Sequence, residues 1–273
     1  MTELPKLFDL SDRAVIVTGG AGLLGAEFSR TLAEAGAAVT IADINGQAAA
    51  DVANSLNQSG LQAQAVGTDV TSADSVAHMI DSTVETFGSL DVLVNCAALD
   101  PKFDPQSRQS QSGAFEDYPL ALWQDALDVN LTGMFLTCQA AVKPMLKQGR
   151  GVIINIASMY GVVAPDQRLY QREEQLPQFK PVYYTVTKAG TLGLTKYLAA
   201  YYAGKNIRVN ALTPGGVYNG HDESFMQAYA ARSVLGRMAE KDEMNGALLF
   251  LASDASQYMT GSNLVVDGGW TAW

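Results

Sequence analysis

The 273 residues carry 28 Asp and Glu against 18 Lys and Arg, a net charge of -10 and a pI near 4.6. That balance excludes generic attraction to nucleic acid or to an anionic membrane surface. A hydrophobic share of 48% beside 17% charged residues supplies a sizeable core and excludes a disordered chain.

In chain order, residues 1–12 are broken by Glu3, Pro5, Lys6 and Asp9, so they lack the continuous apolar core of a signal peptide. No later stretch reaches the ~18 to 20 apolar residues of a membrane span, and a cytoplasmic location is expected. Ala14–Thr18 reads as the first strand. Leu24, Phe28 and Leu32 recur at helical spacing, Gly36 stops that helix, and residues 38–42 form the next strand.

Residues 46–56 read as a helix, 62–66 as a strand, and 72–87 as a helix with Ser72 and Asp74 in its first turn. A fourth strand at 91–95 precedes a long helical region, 122–129 and 133–146, and a strand at 151–157. A helix at 188–202, a strand at 207–212, a helix at 240–251 and a strand at Asn263–Val266 close the series. This alternation predicts α/β architecture: a Rossmann-type, doubly wound parallel sheet with helices on both faces, in a single domain over 1–273. Two polar, proline-punctuated stretches, 100–118 and 163–182, follow strands at their carboxyl ends and are expected to wall a substrate pocket.

The run Thr18-Gly19-Gly20-Ala21-Gly22-Leu23-Leu24-Gly25 lies between the first strand and first helix. There, glycine lets the backbone approach a pyrophosphate and the helix amino end favours its charge. Asp43 ends the second strand, 24 residues beyond Gly19, where a carboxylate accepts hydrogen bonds from ribose hydroxyls and repels a 2′-phosphate. NAD is therefore expected over NADP.

Tyr184 and Lys188 stand four residues apart, on one face of a helix. A free phenol has a pKa of about 10, and a neighbouring ammonium lowers it toward the range of a useful base. Tyr183 lacks that spacing. Cys96 and Cys138 have no paired spacing and read as free thiols; His78 and His221 sit in no ligand motif, so no metal is expected.

Taken together, the chain resembles the short-chain dehydrogenase/reductase family from Ala14 through Gly269. The resemblance rests on the 18–25 loop, Asp69-Val70, Asn95-Cys96-Ala97-Ala98, Asn130, Ser158, Tyr184 with Lys188, and Pro214-Gly215, in the family's order. It implies Tyr184 as general acid/base and Ser158 holding the substrate oxygen. Lys188 would contact the nicotinamide ribose while tuning Tyr184, and Asn130 would support a proton relay. It also implies dinucleotide contacts from Gly19, Gly22, Leu23, Leu24, Asp43, Asp69, Val70, Asn95, Ala97, Pro214, Gly215 and Val217, and a homotetramer or homodimer.

The chain departs from the family pattern at Leu23, which replaces a usual glycine, and at Cys96 and Ala98 after Asn95. A larger departure is the 26-residue step from Ser158 to Tyr184, about twice the common separation. That insertion holds Asp166, Gln167, Arg168, Gln171, Arg172, Glu173 and Glu174, and the 100–118 stretch holds Lys102, Asp104 and Arg108. Such polar walls favour a sugar-like secondary alcohol or ketone. The run from Ser158 to Pro165 also resembles a subgroup linked to bacterial surface-sugar and flagellin-glycan biosynthesis. A 3-oxoacyl or steroid-type reductase, and a non-catalytic dinucleotide-binding sensor, remain the alternatives.

Overall fold

Apolar strand runs that are buried throughout, such as Ala14–Thr18 and Gly151–Ile156, require cover on both faces. In the computed structural model, which describes residues 4–100, 114–171 and 178–273, helices supply that cover. After a short helix α1 (Leu4–Leu7), strands β1 (Ala14–Thr18), β2 (Ala38–Asp43), β3 (Ala63–Gly67), β4 (Val92–Asn95), β5 (Gly151–Ile156), β6 (Ile207–Pro214) and β7 (Asn263–Val266) form one sheet. Its order is β3-β2-β1-β4-β5-β6-β7 and every pairing is parallel. The order reverses direction between β1 and β4, which opens a crevice at the carboxyl ends of those strands.

The helices are α2 (Leu23–Glu34), α3 (Gly46–Gln58), α4 (Ala73–Phe87), α5 (Leu120–Leu127), α6 (Met134–Gln148), α7 (Val182–Tyr201), α8 (Glu223–Ala230) and α9 (Asn245–Ala252). On one sheet face Phe28, Leu32, Leu56, Leu248 and Leu251 pack against Val15, Val39 and Ile154. On the other, Met79, Ile80, Cys138 and Met145 pack against Ile16, Leu93 and Ile153. Full burial of one such side chain contributes about 1.5–3 kcal/mol. A third, largely aromatic cluster of Tyr160, Tyr170, Phe225, Tyr229 and Trp270 lies beyond these two layers.

The expected single α/β domain is the fold observed, with differences in its helices. The helix expected from Lys188 begins at Val182, because Pro181 with φ -60° is already set for a helix start and Tyr184 lies inside the first turns. The helix expected over 240–251 divides into a 3₁₀ turn, Lys241–Met244, and α9. Helix α8 is absent from the expectation, although Asp222 marks its start by accepting the Phe225 N–H. Between α5 and α6 the chain makes a π turn, Asp128–Gly133, in place of an interrupted α-helix. Among the described residues no helix is long and apolar enough to cross a membrane. Lys102, Asp104, Arg108, Arg172, Glu173 and Glu174 lie outside the described residues.

Candidate active site

At the end of β1 the chain turns through Gly19, whose φ of +62° is a left-handed conformation that suits glycine. The turn folds back on the start of α2 so tightly that a Cβ on Gly25 would fall 2.0 Å from the Gly19 carbonyl oxygen. Gly22 is the helix N-cap and offers no side-chain cap, so the first N–H groups of α2 are left for an outside acceptor. Gly19, Gly22, Leu23 and Leu24 line a cleft of about 1110 Å³. This backbone cradle fits an anionic pyrophosphate.

Asp43, at the end of β2, lines the same cleft. Its Oδ2 accepts the Ala21 N–H at 3.1 Å and its Oδ1 the Asn45 N–H at 3.0 Å, fixing the carboxylate beside the glycine turn. Asp69 and Val70 line the cleft after β3. The hydroxyl and N–H of Thr71 hold the Asp69 carboxyl below the usual carboxylate range. After β4, Ala97 reaches the cleft, with its N–H donating to Thr18 Oγ1 at 3.2 Å.

Asn95 sits beneath this floor. Its amide donates to Asn155 Oδ1 at 2.9 Å and to Cys138 Sγ, and its Oδ1 accepts from the Thr137 hydroxyl at 2.7 Å. Its side chain holds β4, β5 and α6 together. Asn130, in the π turn, is also buried below the cleft: Oδ1 accepts the Leu99 N–H, while Nδ2 donates to Leu99 O and Thr187 Oγ1. Burial raises the thiols, Cys96 to about 11 and Cys138 to about 12.

Ser158 follows β5 and caps the 3₁₀ turn Met159–Gly161, accepting the Tyr160 N–H at 3.2 Å. Gly161 allows this turn to lie directly on α7: a Cβ there would be 2.6 Å from the Lys188 carbonyl. Ser158 thereby comes beside Tyr184, where its hydroxyl favours the phenolate. Lys188 donates from Nζ to Ile156 O at 2.9 Å and stands 5.8 Å from the Tyr184 ring centroid. Burial dominates both groups, pushing the Tyr184 phenol well above its ordinary value and the Lys188 ammonium below its own. Tyr183 points elsewhere, packing on Tyr118 at 6.1 Å between centroids.

Pro214, Gly215 and Val217 complete the cleft after β6. The excursion between Ser158 and Tyr184 is described over 159–171 and 178–183. Its two ends are tied by the Gln167 side chain, which accepts the Lys180 N–H at 2.8 Å and donates to the Lys180 carbonyl at 3.1 Å. Asp166 clasps the excursion to Arg232, at 2.6 Å. Sequence reasoning passed over Lys180, Tyr160, Tyr170, His221 and Phe225, which also line the cleft. Lys180 was open to discovery by the same four-residue spacing that singles out Lys188; the aromatic residues have no local sequence signal because they converge from separate loops.

The family model described as Enoyl-(Acyl carrier protein) reductase matches residues 20–271. The chain belongs to the short-chain dehydrogenase/reductase family. It is 38% identical to a cis-4-hydroxycyclohexanecarboxylate dehydrogenase of Sinomonas cyclohexanicum, over 96% of this chain and 98% of the relative. It is 34% identical to a D-threitol dehydrogenase of Mycolicibacterium smegmatis, over 99% of each chain. A solved gluconate 5-dehydrogenase from Burkholderia cenocepacia, in complex with NADP and tartrate, superposes with a TM-score of 0.86 at 31% identity, covering 99% of this chain and 100% of that one. The protein is accordingly an oxidoreductase acting on CH–OH groups of small molecules, with an NAD(P)-type dinucleotide as its cofactor.

Proposed function

We propose that this enzyme is NAD-dependent and interconverts a secondary alcohol and a ketone on a polar substrate, a polyol or hydroxy acid of sugar-like character, with Tyr184 as acid/base. One observation carries the reading: the Tyr184 phenol, with Ser158 beside it and Lys188 flanking it, shares a cleft with the glycine turn and Asp43.

Bound oxidised nicotinamide supplies a hydride acceptor and a positive charge. In oxidation Tyr184 Oη, as phenolate, takes the alcohol proton while hydride leaves the carbinol carbon, and the carbonyl forms. Ser158 accepts the Tyr160 N–H, so its own hydroxyl hydrogen is free to steady the substrate oxygen. The Lys188 ammonium stabilises the phenolate and would bond the nicotinamide ribose. In reduction Tyr184 returns the proton. The Asn130 amide is taken up by Leu99 and Thr187, so its support of a proton relay is to hold the segment after β4 against α7, which carries Lys188.

Asp43 favours NAD: among the described residues lining the cleft, the only Lys or Arg are Lys180 and Lys188, so none faces a 2′-phosphate beside Asp43. A polar substrate is favoured by Gln178, Lys180, Asn219, His221 and Ser224 in the cleft wall, and by the threitol and gluconate of two relatives' names. A second, more apolar reading, the steroid type, is favoured by Met159, Tyr160, Tyr170, Phe225 and Met238 in that wall. Pairing of subunits into a homodimer or homotetramer is favoured by exposed Phe135 on α6 and by Tyr197 and Tyr201 on α7. Light scattering tests the assembly.

The test of function follows nicotinamide absorbance with NAD and NADP against polyols, hydroxy acids, steroid alcohols and oxoacyl thioesters. Faster turnover of polyols or hydroxy acids with NAD is expected. Turnover of thioesters alone sinks the substrate assignment, and dinucleotide binding without any turnover restores the sensor alternative.

A further inference from the structure

Lys180 belongs to the excursion between Ser158 and Tyr184, outside the motifs shared with the family. It stands four residues before Tyr184, as Lys188 stands four after, so two ammonium groups flank one phenol. Its Nζ lies 4.0 Å from the Tyr184 ring centroid, nearer than the 5.8 Å of Lys188. Asp100, in the segment after β4, pairs with it at 2.5 Å.

The two partners are unequal. The Lys180 side chain is 9% exposed and that of Asp100 52%. Gln167 clamps the Lys180 backbone through two hydrogen bonds, and the next residue, Pro181, caps α7. The cation is therefore the fixed member, and the carboxylate is the one free to swing into water. A buried ammonium left without an anion is strongly disfavoured, so whatever displaces Asp100 must bring a negative charge.

The surroundings suit an anionic substrate. Asp43 and Asp69 stand in the cleft wall beside the glycine turn, while Lys180 and Lys188 stand beside the reacting phenol. His221, stacked on Phe225 at 4.8 Å, accepts the Asn219 N–H at Nδ1. In the neutral imidazole that bond leaves the proton on Nε2, a donor for a further substrate oxygen.

The geometry points to Lys180 as a specificity-determining residue that grips a carboxylate on the substrate, which takes the place of Asp100. This rests on Tyr184 as the acid/base and narrows the substrate class to hydroxy acids, whose carboxylate meets Lys180 while the carbinol meets Ser158 and Tyr184. Tyr170 and Phe225, lining the same wall, accommodate a ring or short chain between those two ends.

Two measurements on the cofactor-loaded enzyme test it. One is calorimetric binding of cyclohexanecarboxylate, which has no carbinol to react; the other is kcat/KM on cis-4-hydroxycyclohexanecarboxylate relative to cyclohexanol. Wild type is expected to bind the carboxylate. Lys180→Met should weaken that binding at least tenfold and lower the acid-over-alcohol ratio at least tenfold, mainly through KM. Lys180→Arg should retain most of both, and Asp100→Asn should tighten carboxylate binding at least threefold by removing the competitor. Should Lys180→Met fail to fold, Lys180→Arg and Asp100→Asn decide. Absent binding by wild type, or equal losses on acid and alcohol, overturns the assignment. Oxidation of cyclohexanol without carboxylate binding leaves the dehydrogenase reading standing; carboxylate binding without turnover of any alcohol does the reverse.

Discussion

The dinucleotide end of the cleft and its substrate end are built in different ways. The first is local: the β1–α2 turn, Asp43 and the β4 turn fall within one run of parallel strands, held by backbone bonds such as Gly20 N–H to Ala42 O and Gly22 N–H to Gly19 O. The second is assembled from distant pieces. Asp100, the Ser158–Tyr184 excursion and the segment around α8 meet through side-chain pairs: Lys180 with Asp100, and Asp166 with Arg232. An end fixed by backbone tolerates little change, whereas one fixed by side-chain pairs can be retuned by single substitutions.

The contrast is broken most severely at the phenol that joins the ends. Tyr184→Phe should lower turnover by about 10²–10⁴-fold, the range supplied by a positioned acid or base. Dinucleotide affinity measured by fluorescence titration should stay within about threefold, because the glycine turn is untouched. Wild-type turnover by the variant removes Tyr184 from the mechanism.

Next comes pH. Burial and the Asp100 charge raise the Tyr184 pKa, so the phenol is the resting form. Oxidation needs phenolate and should accelerate with rising pH, by up to about tenfold per unit below the operative pKa, while reduction, which needs the phenol, should slow as pH rises through it. Initial rates in both directions across pH 6–10 check the sign; parallel profiles refute it.

At the dinucleotide end, Asp43→Ala should shift the NAD-over-NADP ratio of kcat/KM toward NADP by about tenfold, the scale of one lost charge-assisted hydrogen bond. An unchanged ratio leaves Asp43 a turn residue only.

The smallest effect is expected at the clasp. The Arg168 guanidinium and N–H, with Arg232, hold the Asp166 carboxyl well below the usual carboxylate range. A lowered folded-state pKa contributes stability that is fully present above the unfolded value and lost progressively as pH falls from there through the folded one. Asp166→Asn should cost about 1 kcal/mol or less at neutral pH, a Tm loss of about 2–4 °C. That gap should begin to narrow as pH drops below about 4 and close only as pH falls through the lowered folded-state value. Thermal melts at pH 7 and pH 3 measure it, and a gap that does not narrow at all at pH 3 assigns the loss to packing.

The same contrast governs what the sequence disclosed. Strand-turn-helix order, Gly19 to Gly25, Asp43 and the Tyr184–Lys188 spacing are properties of neighbouring residues, and periodicity reads them directly. Helix α7 begins before its expected start because Tyr183, Tyr184 and Thr185 mask helical periodicity, while α8 is short and marked only by its Asp222 cap. Asn95 and Asn130 belong to recognisable motifs, yet where their side chains bond depends on residues far along the chain, Asn155 and Leu99 among them. The pairing of Lys180 with Asp100 spans eighty positions and has no local signature.

The π turn carries a further consequence. Each helical residue advances the chain by roughly 100° around its axis, so the widened turn sets a fixed angular offset between α5, which packs on α7, and α6, which packs on β4 and β5. Removing one residue from Asp128–Gly133 would rotate one half against the other. Either the Asn130 bonds to Leu99 or the Thr137 and Cys138 bonds to Asn95 would then be forfeited. The helix thus acts as a keyed shaft, its two ends indexed to two different neighbours by a single surplus residue.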